Sequence, residues 1–181
     1  RDIPRDLAYL EGYGAESYLH DMSIAQDYAK LNRKLMAQVI MEKTFGLDLE
    51  DREYFETVHN YIEEGTRMVR KGAVSAQEGE KLLRPLSMKD GALIARGKGN
   101  KDWNYSAPHG AGRVLSRKMA RDILSLKEFE KSMEGIFTTS VNKGSLDEAP
   151  AAYKPKEAIM DVIEETAEIE KHIKPIYNFK A

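Results

Sequence analysis

The chain has no cysteine among its 181 residues. That excludes a disulfide framework and any thiolate metal site built from this chain alone. No apolar run approaches the roughly 18 residues that a membrane span needs. The amino terminus lacks the basic-then-apolar pattern of a secretory signal. There is no internal repeat and no low-complexity segment. Two familiar phosphate-binding frames are also missing: GKGN at 97–100 lacks the GxxxxGK[ST] spacing, and no GxGxxG follows a strand and opens a helix. Histidine is scarce, at four residues. What remains is a globular chain of one domain, or part of a larger one, with the cytoplasm as the expected compartment. The first residue is Arg1 rather than Met, so further residues upstream are expected.

Charge is nearly balanced overall, with a net of −2, but it is unevenly distributed. The window Arg67–Arg121 holds 13 lysines and arginines against 4 acids, an excess of nine positive charges. The rest of the chain is correspondingly acidic. A basic middle is the pattern expected of a site for nucleotide or nucleic-acid phosphates. The plainer reading is a surface on which unlike charges are unevenly placed.

The order of elements reads as α+β. From Glu16 to Lys43, apolar residues recur every three or four positions, which predicts a long amphipathic helix stopping at Gly46. Asp48 is placed to cap a shorter helix running toward Tyr61. The period then shifts to two: Arg67–Ser75 and Lys81–Met88 read as strands, with a hairpin turn at KDG (89–91) before ALIARG. Residues 97–112 are loop. Helices are expected near Val114–Ile123, Lys127–Met133 and Lys156–Thr166, with a short strand at Phe137–Val141. An extended entry covers residues 1–14 and an extended tail His172–Phe179. No βαβ alternation argues for a wound parallel sheet.

Two histidines stand apart from His20 and His172, which read as surface or packing residues. His59 lies in VHNYIEE beside Asn60. On a helix Glu63 would share its face, and a metal ligand and a structural histidine both remain open there. His109 lies in SAPHGAGRVLSR. Gly110 and Gly112 remove side chains where a phosphate would need successive backbone amides. A helix beginning near Val114 would add a favourable field for an anion, and Arg113 and Arg117 would share one face of it and fork onto phosphate oxygens. An imidazole held against an activated phosphate acts as a general base or a nucleophile. The alternative is a glycine-rich turn with a hydrogen-bonded histidine.

PRDLAYLEG (4–12), YLHDMSIAQDYAKLNR (18–33), VHNYIEE (58–64), RKGAVSA (70–76), GKGNKDWNYSAPHGAGRVLSR (97–117) and EAPAAYK (148–154) together resemble the RtcB family of RNA-splicing ligases. So does the lysine next to last. The likeness runs through essentially the whole chain, in order. It implies an enzyme that joins RNA ends bearing a 2′,3′-cyclic phosphate or 3′-phosphate to a 5′-hydroxyl, with GTP and Mn²⁺. It also implies that His109 attacks the α-phosphate of GTP and carries GMP, with Gly110, Ala111 and Gly112 lining the guanylate. His59 would be a manganese ligand and Asn60 a guanylate contact. Pro85, Leu86, Ser87 and Met88 match the nucleotide-binding hairpin, followed by Ala92. Tyr153 falls where a guanine-stacking tyrosine is expected, and Lys180 where a lysine contacts guanine. Arg113 and Arg117 remain for phosphate or RNA.

Leu86 stands where many members have glycine, and Ala92 where a serine commonly binds the nucleotide. One lost hydroxyl contact costs roughly 0.5 to 1.5 kcal/mol. The family's other metal ligands, a Cys and Asp pair and two further histidines, belong upstream of PRDLAYL. The chain therefore resembles the C-terminal portion of such a ligase, to be completed by an N-terminal half, and by itself is expected not to ligate. The competing expectations are a noncatalytic nucleotide- or RNA-binding module, and a domain that packs against a partner carrying the remaining ligands.

Overall fold

The computed structural model describes Pro4 and residues 8–180. It is a mixture of helices and small, mainly antiparallel sheets, as the α+β reading expects. The chain divides into two compact units between Phe55 and Glu56. The expected entry segment lies partly outside the described residues, and the chain is already helical at Gly12.

The first unit is dominated by α1 (Gly12–Ile40), prolonged by one wider turn over Met41–Phe45. Gly46 ends it in the left-handed region at φ 64°, where a residue without Cβ pays no steric penalty. The three- and four-residue spacing therefore located the helix. No residue of α1 is buried, however, and Tyr28, Leu31, Leu35 and Met36 are all exposed. The helix expected after Asp48 is absent. Asp48 Oδ1 instead accepts the Glu50 amide at 3.0 Å, and the segment up to Asn60 is turn and extended chain. The side chain that can cap a helix satisfied a local turn instead.

The second unit opens with β1 (Tyr61–Ile62) paired to β2 (Val69–Arg70), followed by β3 (Ala73–Ser75). β4 (Lys81–Pro85) and β5 (Ala92–Gly97) form the expected hairpin. At its turn Gly91 has φ 76°, and a Cβ there would sit 2.0 Å from the Ile173 carbonyl, so only glycine fits. β6 (Ser106–Pro108) pairs with β3, bringing Pro108 opposite Ala73. α2 (Arg117–Ile123), α3 (Leu126–Ser132), β7 (Phe137–Thr138) and α4 (Lys156–Ile163) follow. β8 (Ala167–Ile173) adds to β5 as a third antiparallel strand, and β9 (Tyr177–Asn178) runs parallel to β7. The expected extended tail is thus two paired strands.

α2 begins later than expected. Ser116 caps it, its hydroxyl accepting the Met119 amide at 3.2 Å, so Arg113 lies before the helix and shares no helical face with Arg117. Three buried clusters hold the second unit together. One joins Val74, Leu82, Ala107 and Ile163, and one joins Met88, Phe129, Met133 and Leu146. The third joins Leu86, Leu93, Ala111 and Ile159. This last cluster fixes the 85–88 turn against the loop that follows His109. No helix among the described residues is long and apolar enough to cross a membrane.

Candidate functional site

Backbone pairing places His109. It follows β6 directly, and its amide donates to the Gly72 carbonyl at 3.0 Å. The Gly72 amide in turn donates to Asn60 Oδ1 at 2.7 Å. Asn60 itself has φ 60°, a left-handed conformation that asparagine tolerates better than most side chains. Gly72 therefore ties the His59–Asn60 corner to the His109 loop. Across this link the two imidazoles stack, with centroids 3.5 Å apart and planes 8° from parallel. Glu63 does not share a helical face with His59. It lies just past β1 and pairs with Arg70 at 2.9 Å.

His109 is half-buried, and its Nδ1 is buried without a hydrogen-bond partner. Burial, then the neighbouring His59 and Arg84, hold its pKa below the ordinary imidazole value. The neutral ring, with a free lone pair, is the favoured form.

A cavity of about 710 Å³ opens beside His109. The turn 85–88, the segment His109–Arg113, Tyr153 and Lys180 all line it. These segments come from distant parts of the chain and share one cavity, whereas His59 and Asn60 do not line it. Among the described residues, the amides of Gly110, Ala111 and Gly112 donate no hydrogen bond within the chain. Gly110, Ala111 and Gly112 all line the cavity, and three successive amides without a partner in the chain are the kind of donor set an anion takes.

Other expected contacts sit differently. Ala92 is paired between Pro85 and Ile173 and does not line the cavity. Leu86 lines it but is only 5% exposed, its side chain committed to the cluster with Leu93, Ala111 and Ile159. The Ser87 hydroxyl is engaged in its own turn, donating to Asp90 Oδ2 at 2.7 Å. Asn60 spends its side-chain oxygen on Gly72.

The arginines after His109 are also engaged. Arg113 donates to the Leu115 carbonyl at 3.0 Å, to the Tyr153 hydroxyl at 3.0 Å and to the Asp147 carbonyl. Arg117 lies outside the cavity lining and donates to Asp147 at 2.6 Å and to Glu148 at 2.8 Å. The basic window is therefore partly neutralised in space: Arg70, Arg96, Arg117 and Arg121 pair with Glu63, Glu170, Asp147 and Glu148, all from outside it.

Glu148 is a hub of the cavity wall. It accepts from the Tyr153 hydroxyl at 2.6 Å and from Lys180 Nζ at 3.3 Å. Burial alone would raise its pKa, but Tyr153, Lys180 and Arg117 together hold it below the usual carboxylate range. Burial and Glu148 push the Tyr153 phenol up to about 12. Lys180 reaches this wall because the tail is anchored twice: Asn178 donates to the Met88 carbonyl at 2.8 Å, and the Lys180 amide to Ser140 Oγ at 2.7 Å.

Arg84, Glu148, Lys154 and Asn178 also line the cavity and carry no role in the sequence motifs. Arg84 had a usable signal, since strict alternation in β4 puts it on the same face as Leu82. Glu148 lay inside the quoted EAPAAYK but carried no assigned role. Among the described residues, no group of three or more His, Asp or Glu could hold a metal ion. His59 alone does not make a manganese site.

Residues 3–181 match the family described as tRNA-splicing ligase RtcB, and the chain belongs to that family. It is 34% identical over 184 residues to RNA-splicing ligase RtcB1 of Escherichia coli strain ATCC 25922, covering 91% of this chain and 44% of that protein. It is 32% identical to RNA-splicing ligase RtcB of E. coli K12, with coverage of 91% and 44%. With tRNA-splicing ligase RtcB of Aeropyrum pernix the identity is 29%, covering 82% of this chain and 38% of that protein. The chain thus spans less than half the length of these relatives.

Proposed function

We propose that this chain carries the nucleotide pocket and the nucleophile of a GTP-dependent RNA ligase. Its substrates would be RNA ends bearing a 2′,3′-cyclic phosphate or 3′-phosphate, and 5′-hydroxyl ends. The observation that carries the reading is the run of three unpartnered amides, Gly110–Gly112, lining the cavity immediately after a half-buried His109.

In this reading the lone pair of a neutral His109 nitrogen forms a bond to the α-phosphorus of GTP as the bond to pyrophosphate breaks. The amides of 110–112 stabilise charge on the non-bridging oxygens of that phosphorus. A 2′,3′-cyclic end is first opened by water, which breaks the bond to O2′ and leaves a 3′-phosphate. An oxygen of that 3′-phosphate then takes GMP from His109, and the 5′-hydroxyl displaces GMP to make the new phosphodiester. Tyr153, Glu148 and Lys180 hold the base end of the cavity, where a carboxylate and an ammonium match the donors and acceptors of guanine.

Manganese, when bound, would supply Lewis-acid neutralisation of the triphosphate. His59 is this chain's candidate donor to it, with the other ligands coming from elsewhere. Residues 1–181 alone should therefore bind nucleotide without completing ligation.

The test is substrate polarity. The intact protein, given GTP and Mn²⁺, should join a 3′-phosphate RNA end to a 5′-hydroxyl end and should leave 3′-hydroxyl and 5′-phosphate ends unjoined. Binding of nucleotide and RNA without joining would favour a noncatalytic module.

A further inference from the structure

β4 alternates so that Leu82 and Arg84 both turn inward, at 2% and 4% exposure. For leucine that is the ordinary outcome of burial. For a guanidinium it is costly unless a partner replaces the lost water. Arg70, the other buried arginine among the described residues, has such partners in the Glu63 carboxylate, Tyr61 and Ser106, with only its Nη2 left unpaired.

Arg84 does not. Its Nη2 donates to the Gly110 carbonyl at 3.2 Å, while Nε and Nη1 are buried with no partner. No carboxylate pairs with it among the described residues. Burial lowers its pKa only to about 10, so it stays cationic at neutral pH.

The position of this charge suggests its use. Arg84 lines the cavity with His109 and Gly110. The carbonyl it holds belongs to the same peptide unit as the Ala111 amide, one of the three free donors. Donation to that carbonyl polarises the unit and makes the Ala111 N–H a stronger donor. The positive charge of Arg84, buried and lining the cavity with His109 and Gly110, adds to the same field.

We propose that Arg84 is the buried counter-charge for a phosphoryl group held against His109, allowing the cavity to bind a nucleotide's phosphate without a metal ion. The proposal rests on the guanylate reading above and adds a residue that reading does not use. Arg84 acts through the Gly110–Ala111 peptide and through its charge, so it is a positioning and electrostatic residue.

The experiment is calorimetric titration of the intact protein, stripped of metal with EDTA, with guanosine, GMP and AMP. Thermal melts are run alongside for wild type, Arg84→Met and Arg84→Lys. Wild type should prefer GMP to guanosine by about tenfold or more. Arg84→Met should lose that preference while keeping its guanosine affinity, and Arg84→Lys should keep part of it. Without ligand, Arg84→Met should melt at or above the wild-type temperature, because it removes an uncompensated buried charge. An undiminished GMP preference in Arg84→Met, or no preference in wild type, would overturn the proposal. So would a lower melting temperature of unliganded Arg84→Met. AMP bound as tightly as GMP, with the same dependence on Arg84, would sink the guanine reading and leave the counter-charge standing.

Discussion

His59 and His109 lie face to face, their imidazole centroids 3.5 Å apart and their planes 8° from parallel. Stacking covers one face of each ring and does not itself occupy the ring edges. Both metal coordination and attack on phosphorus use a nitrogen lone pair in the ring plane, so the contact fixes orientation without blocking either chemistry. The two rings are held by a backbone relay, from the His109 amide to the Gly72 carbonyl and from the Gly72 amide to Asn60 Oδ1.

Asn60 should therefore matter through its backbone as well as its side chain. Asn60→Gly keeps φ 60° without strain and loses only the bond to Gly72, so it should cost roughly 0.5 to 1.5 kcal/mol of stability. Asn60→Val loses the same bond and forces a β-branched residue into the left-handed region, and should cost more. Urea unfolding of the two variants checks the order. Equal losses would mean that the conformation at 60 carries no strain.

The Glu148–Tyr153 pair makes stability fall at both ends of the pH scale. Glu148 titrates below its ordinary 4.5 in the folded protein, so its contribution is present above that value and is lost as pH falls further. Tyr153 is raised from 10.0 to about 12, so its contribution is present below 10 and is lost as pH climbs toward 12. Unfolding measured against pH should show a shallower acid limb in Glu148→Gln and a shallower alkaline limb in Tyr153→Phe.

Leu86 and Ala92 should respond oppositely to substitution. Leu86→Gly removes a side chain packed on Leu93, Ala111 and Ile159 and should destabilise by about 2 to 5 kcal/mol. Ala92→Ser should leave guanylate affinity unchanged, because residue 92 lies between Pro85 and Ile173 and not on the cavity wall. Nucleotide titration of Ala92→Ser tests this directly. A clear gain in affinity would put the nucleotide nearer β5 than the cavity does.

The elements readable from the sequence were those set by local pattern. Three- and four-residue spacing gave α1, and alternation with a KDG turn gave the β4–β5 hairpin. Failures came where one side chain had two uses. Asp48 made a turn with Glu50 rather than a cap, and Ser116, not a residue near 114, started α2. The basic window misled in part because its arginines find acids far along the chain, as Arg96 finds Glu170. Gathering 85–88, 109–113, 153 and 180 around one cavity came from the family likeness. Spacing alone gives no distance between residues so far apart. Arg84 was hidden for a different reason: its meaning depends on the absence of a partner, which only the folded chain reveals.

His109 is the proposed carrier of the nucleotidyl group in this cavity, and covalent labelling tests that role most directly. The intact protein is incubated with Mn²⁺ and GTP labelled at the α-phosphate, then denatured and mapped. The account predicts GMP on His109 through an acid-labile, alkali-stable phosphorus–nitrogen bond, and no label on His109→Ala. Robust labelling of His109→Ala, or a label stable to acid on another residue, would contradict it.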